Sequence, residues 1–265
     1  MNKLISKIRT IWAEMWKVKL ATFWDSICIQ LGADLGKERF YQFQNGWKLK
    51  YDPNTLDNMV IRECLTNSLY TKFLKEKNLK NVVDLGAHKG FFALGLMFNG
   101  YKFKKMLMVE PLVENLVAFK ENLKMNDRSE VRRKIVVENC AVGDKNGKAK
   151  FFVTRNSVNH SLLDPSSLDE VVSKIDIKVA KLGTILEKNK IREIDLLKMD
   201  IEGAEFNLLK SDQLKYILKA KRIVMEVHPG AHGDGEWVKE LFEKYRYRVS
   251  WPNPAYRDLM YMEKV

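Results

Sequence analysis

Two stretches of this 265-residue chain carry acids and an imidazole at spacings that packing explains poorly. The longer is Ile194-Asp195-Leu196-Leu197-Lys198-Met199-Asp200-Ile201-Glu202-Gly203-Ala204-Glu205. An apolar strand ends in Asp200, Glu202 follows, and Gly203 opens the next helix. Buried carboxylates need partners, so three acids at a strand end point to a ligand or a reaction. The second stretch, Arg222-Ile223-Val224-Met225-Glu226-Val227-His228-Pro229-Gly230, ends in a carboxylate and an imidazole, with His232 and Asp234 close behind. Two acidic strand ends side by side could hold a divalent metal such as Mg²⁺ through oxygen ligands, or could supply a base. No residue is singled out as a metal ligand.

A third stretch organises the chain. Val82-Val83-Asp84-Leu85-Gly86-Ala87-His88-Lys89-Gly90 reads as a strand, an acid and a turn through two glycines, and a helix can follow from Phe91. Such a turn brings backbone N–H groups and a helix N-terminus close to a nucleotide-like ligand. The spacing is G-x-x-x-G, unlike that of dinucleotide binders, and no Lys-Ser or Lys-Thr closes a phosphate loop. An acid at the strand end would repel a pyrophosphate. It suits a ligand with a cationic amino-acid end, such as S-adenosylmethionine. Gly-rich strand–helix turns also form for packing reasons alone.

The elements that must position these residues follow an α/β rhythm. Met106–Glu110 is a strand that Pro111 stops, and Glu110 lies where an acid can accept both ribose hydroxyls of an adenosine in a doubly wound sheet. Residues 135–142 read as a third strand, whose end could set Cys140, Ala141 and Val142 beside an adenine ring or simply pack the core. Residues 47–52 alternate as a strand, and 57–77 read as a helix with Arg62, Glu63 and Tyr70 on a solvated face. Gly143–Gly147 is a turn into a strand over 150–154. Residues 155–176 read as a polar loop containing His160, a candidate to touch an acceptor. A short strand over 177–182, a helix over 237–245 and strands over 247–251 and 259–262 complete the chain.

Length suits one substantial α/β domain with a small extension: residues 1–46 as an N-terminal helical extension and 47–265 as the main domain. Net charge is +12, which a Lys-rich solvated surface explains as well as an anionic partner does. Cys28, Cys64 and Cys140 form no metal spacing and fit a reducing, cytoplasmic compartment. No stretch reaches the ~18 apolar residues of a membrane span. Residues 1–35 read as one helix, with Leu4, Ile8, Trp12, Trp16, Leu20 and Trp24 among its apolar positions. Up to residue 24 it carries five basic side chains against one acid. Such a helix could lie on the inner membrane surface, or pack on its own domain or a second subunit.

The motifs Asp84-Leu85-Gly86-Ala87-His88-Lys89-Gly90, Val109-Glu110-Pro111, Ala141-Val142-Gly143-Asp144 and above all Asp195–Glu205 resemble the FkbM family of S-adenosylmethionine-dependent methyltransferases. The similarity runs in order from about residue 47 to 230. It implies a Rossmann-like class I fold, a seven-stranded mostly parallel sheet with helices on both faces, and methyl transfer, mostly to oxygen, on small molecules or glycans. By that resemblance Asp84, Gly86, Ala87, His88 and Gly90 hold the cofactor's amino-acid end. Glu110 and Pro111 border the ribose, Cys140 and Ala141 border adenine, and Asp200 and Glu202 sit at the reacting centre. Glu226 and His228, with His160, are left to the acceptor. Two departures stand out: His88 where the family usually has Asn, and Leu182-Gly183 where it often has Leu-Asp.

The expected mechanism is direct displacement, in which a hydroxyl oxygen attacks the methyl group in line while Asp200, Glu202 or His228 takes its proton. A nucleic-acid methyltransferase would use the positive charge, but the Asp/Asn-Pro-Pro-aromatic run of base amino-methylating enzymes is absent and acids beside the reaction centre would repel phosphates. A non-catalytic membrane-surface or dimerisation module is the remaining alternative.

Overall fold

The computed structural model describes residues 15–127, 129–154, 171–228, 234–251 and 258–265. In chain order the main elements begin with helix α1 (Leu20–Gln30), the hairpin β1 (Arg39–Gln42) and β2 (Lys48–Tyr51), and a short α2 (Asp57–Ile61). Strand β3 (Asn78–Leu85), helix α3 (Phe91–Phe98), strand β4 (Lys102–Val109) and helix α4 (Val113–Met125) follow. Next come β5 (Ile135–Glu138), β6 (Ala141–Gly143), β7 (Gly147–Thr154) and β8 (Val171–Lys181). The remainder is α5 (Leu182–Lys188), β9 (Ile194–Met199), α6 (Glu205–Leu209), β10 (Ala220–Glu226), α7 (Gly235–Lys244), β11 (Tyr247–Ser250) and β12 (Leu259–Lys264).

Seven strands form one sheet in the order β11-β12-β10-β9-β3-β4-β5. The five from β10 to β5 run parallel, and β12 and β11 close the edge antiparallel. This is the mostly parallel sheet expected from the alternating pattern. Its strands are apolar on both faces because helices cover both. Side chains alternate accordingly: Val82 packs with Phe91, Leu94 and Phe119 of α3 and α4, whereas Val83 packs with Leu186, Phe206 and Phe242 of α5, α6 and α7. The C-terminal ends of β10, β9, β3 and β4 lie side by side, so the sheet order brings the three acid-bearing stretches to one edge.

Four expected elements differ. The N-terminal helix is not continuous over its described part: a 3₁₀ turn at Met15–Lys17 stops at Val18, which forms a β-bridge with Phe43, and α1 starts at Leu20. Residues 1–14 lie outside the described residues. The helix expected over 57–77 breaks after one turn into a π-helical turn, Arg62–Thr66, and a 3₁₀ turn, Leu69–Thr71, with Ser68 left-handed between them at φ 52°. The strand expected over 135–142 divides at Asn139, whose side chain donates to the carbonyls of Glu110 (3.0 Å) and Pro111 (2.7 Å). Its second half, β6, joins β8 and β7 in a separate three-stranded sheet. Residues 171–176, expected in a loop, belong to β8, which pairs antiparallel with β7. The division expected at residue 46 falls within the β1–β2 hairpin.

Candidate active site

Gly86 follows β3 with φ 74°, a conformation that favours glycine. A Cβ there would collide with the carbonyl oxygen of Asp200, so the ends of β3 and β9 meet this closely only because residue 86 has no side chain. His88 is also left-handed, at φ 49°, and its N–H donates to Glu110 Oε2 at 2.8 Å. His is among the residues that tolerate this region best. Glu110 is anchored as well as poised: Oε1 accepts from the Leu112 N–H and from Asn115 Nδ2, both at 3.0 Å. Burial raises its carboxyl above the ordinary value, against the pull of those hydrogen bonds.

A cavity of about 340 Å³ opens over this edge. Gly86, Ala87, His88, Glu110, Pro111, Cys140 and Ala141 border it on the β3–β4 side. Asp200, Glu202, Glu226 and His228 border it over β9 and β10. Ten of the twelve cofactor and catalytic candidates thus meet at one cavity, and Glu226, proposed for the acceptor, joins them. Asp84 and Gly90 lie behind its wall. A Cβ at Gly90 would strike the Phe119 ring, so that glycine serves the packing of α4 against the turn. Asp84 is fully buried and reaches the cavity only through Lys198. His160 lies outside the described residues.

Lys198 is the hub. Its buried ammonium donates to the Gly86 carbonyl at 2.6 Å and stands 3.2 Å from Asp200 Oδ2 and 3.5 Å from Asp84 Oδ1. Burial alone would lower its pKa, but the two carboxylates outweigh burial and raise it. Asp84 has no hydrogen-bond partner among the described residues, and burial pushes its carboxyl up to about 6 against the pull of Lys198.

The β9–β10 side holds the remaining charge. Glu202 adopts φ 53° and faces the cavity rather than capping the following helix, whose N-cap is Ala204. Burial and the neighbouring Asp200 push its carboxyl up to about 9. His228 lies between two acids, Nε2 at 3.4 Å from Glu202 and Nδ1 at 3.1 Å from Glu205. Burial opposes its charge, but the hydrogen bond and charge of Glu205 prevail and raise it to about 10. Glu205 is fully buried and also accepts from the Ile201 N–H at 2.9 Å, so it orients both the β9–α6 turn and the imidazole. Asp195, at the other end of β9, is structural: it accepts from the Lys80 and Asn81 N–H groups and pairs with Lys221.

The sequence pattern hid several further cavity residues, among them Glu63, Tyr70 and Phe151. Glu63 and Tyr70, expected on a solvated face, line the cavity because the π-helical turn rotates that segment inward. Close packing of α3 holds the turn, since a Cβ at Gly95 would meet the Cys64 carbonyl. Tyr70 donates to Glu226 Oε2 at 3.1 Å. Burial, followed by the other's or Asp200's charge, pushes Glu63 and Glu226 each up to about 7. Phe151, from β7, completes the wall. An acid and a tyrosine in an otherwise apolar run were the available signal for Glu63 and Tyr70; Phe151 gave none.

Asp200, Glu202 and His228 each place a potential ligand atom within 4.8 Å of the others, so they could hold a divalent cation. A nucleotide-like cofactor also fits the chain: the left-handed turn at Gly86 and His88 and the buried acid Glu110 border the same cavity.

Comparison with known proteins agrees with this geometry. The model of the "Methyltransferase FkbM domain" matches residues 84–249. "Methyltransferase 1" of Beauveria bassiana (strain ARSEF 2860) is 24% identical over 190 residues, covering 65% of this chain and 74% of that protein. "Methyltransferase sdnD" of Sordaria araneosa is 24% identical over 172 residues, covering 55% of this chain and 65% of its own. The crystal structure of an FkbM methyltransferase from Methylobacillus flagellatus KT shares the fold, with a TM-score of 0.51 at 16% identity over 98% of this chain. This chain spans 59% of that one, about three-fifths of its length. With the matched segment running from the acid of β3 into β11, the chain belongs to the FkbM family of methyltransferases.

Proposed function

We propose that the protein transfers the methyl group of S-adenosylmethionine to a hydroxyl oxygen of a small molecule, glycan or lipid-linked sugar. The observation that carries this reading is the division of one cavity between a nucleoside-fitting side at the ends of β3 and β4 and an acid-rich side at the ends of β9 and β10. The turn at Gly86–His88 would hold the amino-acid end, Glu110 the ribose, and Cys140 with Ala141 the adenine. When bound, the cofactor supplies an electrophilic methyl group on a sulfonium.

The chain's own work is alignment, exclusion of water and proton removal. Lys198 fixes the Gly86 turn and Asp200 relative to each other, which sets the approach of the two reactants. Asp200 or Glu202 accepts the hydroxyl proton as the oxygen attacks. Glu202 holds its own proton through burial and the neighbouring Asp200, and ionises as positive charge enters beside it. His228, held by Glu205, orients Glu202 and keeps the local charge balanced. Glu226 and Tyr70 offer an acceptor and a donor to a hydroxylated substrate. The surplus of acids in the cavity also disfavours a phosphate-bearing nucleic acid.

The test is calorimetric titration with S-adenosylmethionine, followed by transfer of labelled methyl to a panel of hydroxylated acceptors. Micromolar binding that Glu110→Ala weakens at least about tenfold is expected from loss of a buried charged hydrogen-bonding group. No binding by folded wild-type protein would overturn the reading.

A further inference from the structure

Helix α1 has a seated face and a bare one. Thr22, Phe23, Ser26 and Ile27 are buried. Thr22 Oγ1 accepts from the Gln42 N–H at 2.8 Å, and Ser26 Oγ accepts from Asn58 Nδ2 at 3.1 Å. The Lys19 N–H donates to the Gln42 carbonyl at 2.9 Å, which ties the start of the helix to β1. The rotation of α1 is therefore fixed, and its other side faces outward. That side carries Leu20 (65% exposed) and Trp24 (53%), one turn apart, with Trp16 (72%) before them and Leu31 (63%) after. The spacing of four keeps Leu20 and Trp24 on one line of the helix. Phe40 of the adjoining strand β1 is exposed too, with the Lys48 ammonium 3.9 Å from its ring centroid.

Large apolar side chains this exposed and this aligned mark an interaction surface. The charge beside them identifies the partner. Lys19 heads α1, and the Lys17 ammonium stands 5.2 Å from the Trp16 ring centroid while donating to the Thr66 carbonyl. In sequence, the first 24 residues, of which 1–14 lie outside the described residues, carry five basic side chains against one acid. Indole rings suit the boundary between water and acyl chains, being apolar in body and polar at the N–H. A basic margin around an apolar stripe complements an anionic bilayer. A second copy of the chain would instead bring two surfaces of net positive charge together, on a molecule of net charge +12.

We propose that the exposed face of α1 at Leu20 and Trp24, with Trp16 before the helix and Leu31 after it, docks the protein on an anionic lipid surface. Docking of this kind is peripheral: no helix among the described residues is long and apolar enough to cross a membrane.

The test is co-sedimentation of the full chain with phosphatidylcholine vesicles, with and without phosphatidylglycerol, at low and high salt. The wild type is compared with Leu20→Ser/Trp24→Ser and with Lys19→Glu, and circular dichroism checks that each variant is folded. The exposed positions leave the core intact, so folding is expected to be unchanged. Wild type is expected to pellet with the anionic vesicles, less at high salt, and with a blue shift of tryptophan emission. The double variant is expected to lose at least about tenfold in vesicle affinity, and Lys19→Glu a smaller part. Equal pelleting by wild type and the double variant, or none by either, would overturn the proposal. A dimer of the wild type in light scattering, lost in the double variant without vesicles, would assign the face to a second copy instead.

Discussion

The Lys198 ammonium lies 3.2 Å from the Asp200 carboxylate, at the base of the cavity. The same ammonium serves buried Asp84 and the Gly86 carbonyl, so one cation holds together the ends of β3 and β9. Removing it strands two acids. Lys198→Met is expected to cost about 3–5 kcal/mol, the usual penalty for breaking a buried pair. Adding Asp84→Asn is expected to recover part of that loss. Urea unfolding of the single and double variants measures both; additive losses would show that Asp84 and Lys198 do not communicate.

Cofactor affinity is expected to depend on pH. Burial holds the Asp84 carboxyl up to about 6 and those of Glu63 and Glu226 up to about 7. Each is neutral below its pKa and negative above it, and a cationic ligand prefers the negative form. Affinity for S-adenosylmethionine should rise between pH 5.5 and 7, by up to about tenfold per pH unit for each proton released on binding. Titration in two buffers of different ionisation enthalpy detects that proton. Affinity flat across this range would separate these acids from cofactor binding.

The order of damage among the three base candidates follows from their surroundings. Glu205 holds the His228 imidazole charged near neutrality, so it has no vacant site for a proton. Glu202→Gln or Asp200→Asn should lower turnover by about 10²–10⁴-fold, the range for loss of a general base. His228→Gln should lower it less. Single-turnover methyl transfer at saturating cofactor reads the chemical step; the reverse order would make the imidazole the base.

Chelation is expected to leave the rate within about twofold. A metal needs deprotonated ligands, whereas Glu202 and His228 hold their protons near neutrality and Lys198 already pairs with Asp200. Loss of activity in EDTA, restored by Mg²⁺, would show that a cation binds the three ligand atoms after all.

Gly183 lies in the first turn of α5, and its N–H donates to Gln213 Oε1 at 2.9 Å. The space a side chain would need is filled by the Tyr216 ring. Gly183→Asp is expected to destabilise by about 1–3 kcal/mol through overpacking, and Gly183→Asp/Tyr216→Ala by less. Thermal unfolding compares the two; equal losses would acquit the ring.

The sequence by itself determined the parallel sheet and most of the cavity wall. Apolar strands ending in acids, separated by helical stretches, admit few arrangements, and in open α/β sheets the strand C-termini form the binding edge. That placed Gly86, Glu110, Asp200, Glu202, Glu226 and His228 together before any coordinate. The tertiary structure decided what periodicity cannot encode. Only the packing of α3 on the π-helical turn brings Glu63 and Tyr70 inward, since a helix wheel drawn through 57–77 assumes an unbroken i→i−4 ladder. Only the Asn139 side chain, bonded to two distant carbonyls, splits residues 135–142 between two sheets. In sequence, Asp84 reads as a partner for the cofactor because an acid at a strand end suits a cationic amino-acid group. Long-range contact with Lys198 puts it behind the wall instead. The apolar stripe of the N-terminal helix was legible as a pattern, but which side is seated depended on Gln42 and Asn58, residues that meet α1 only in the folded chain.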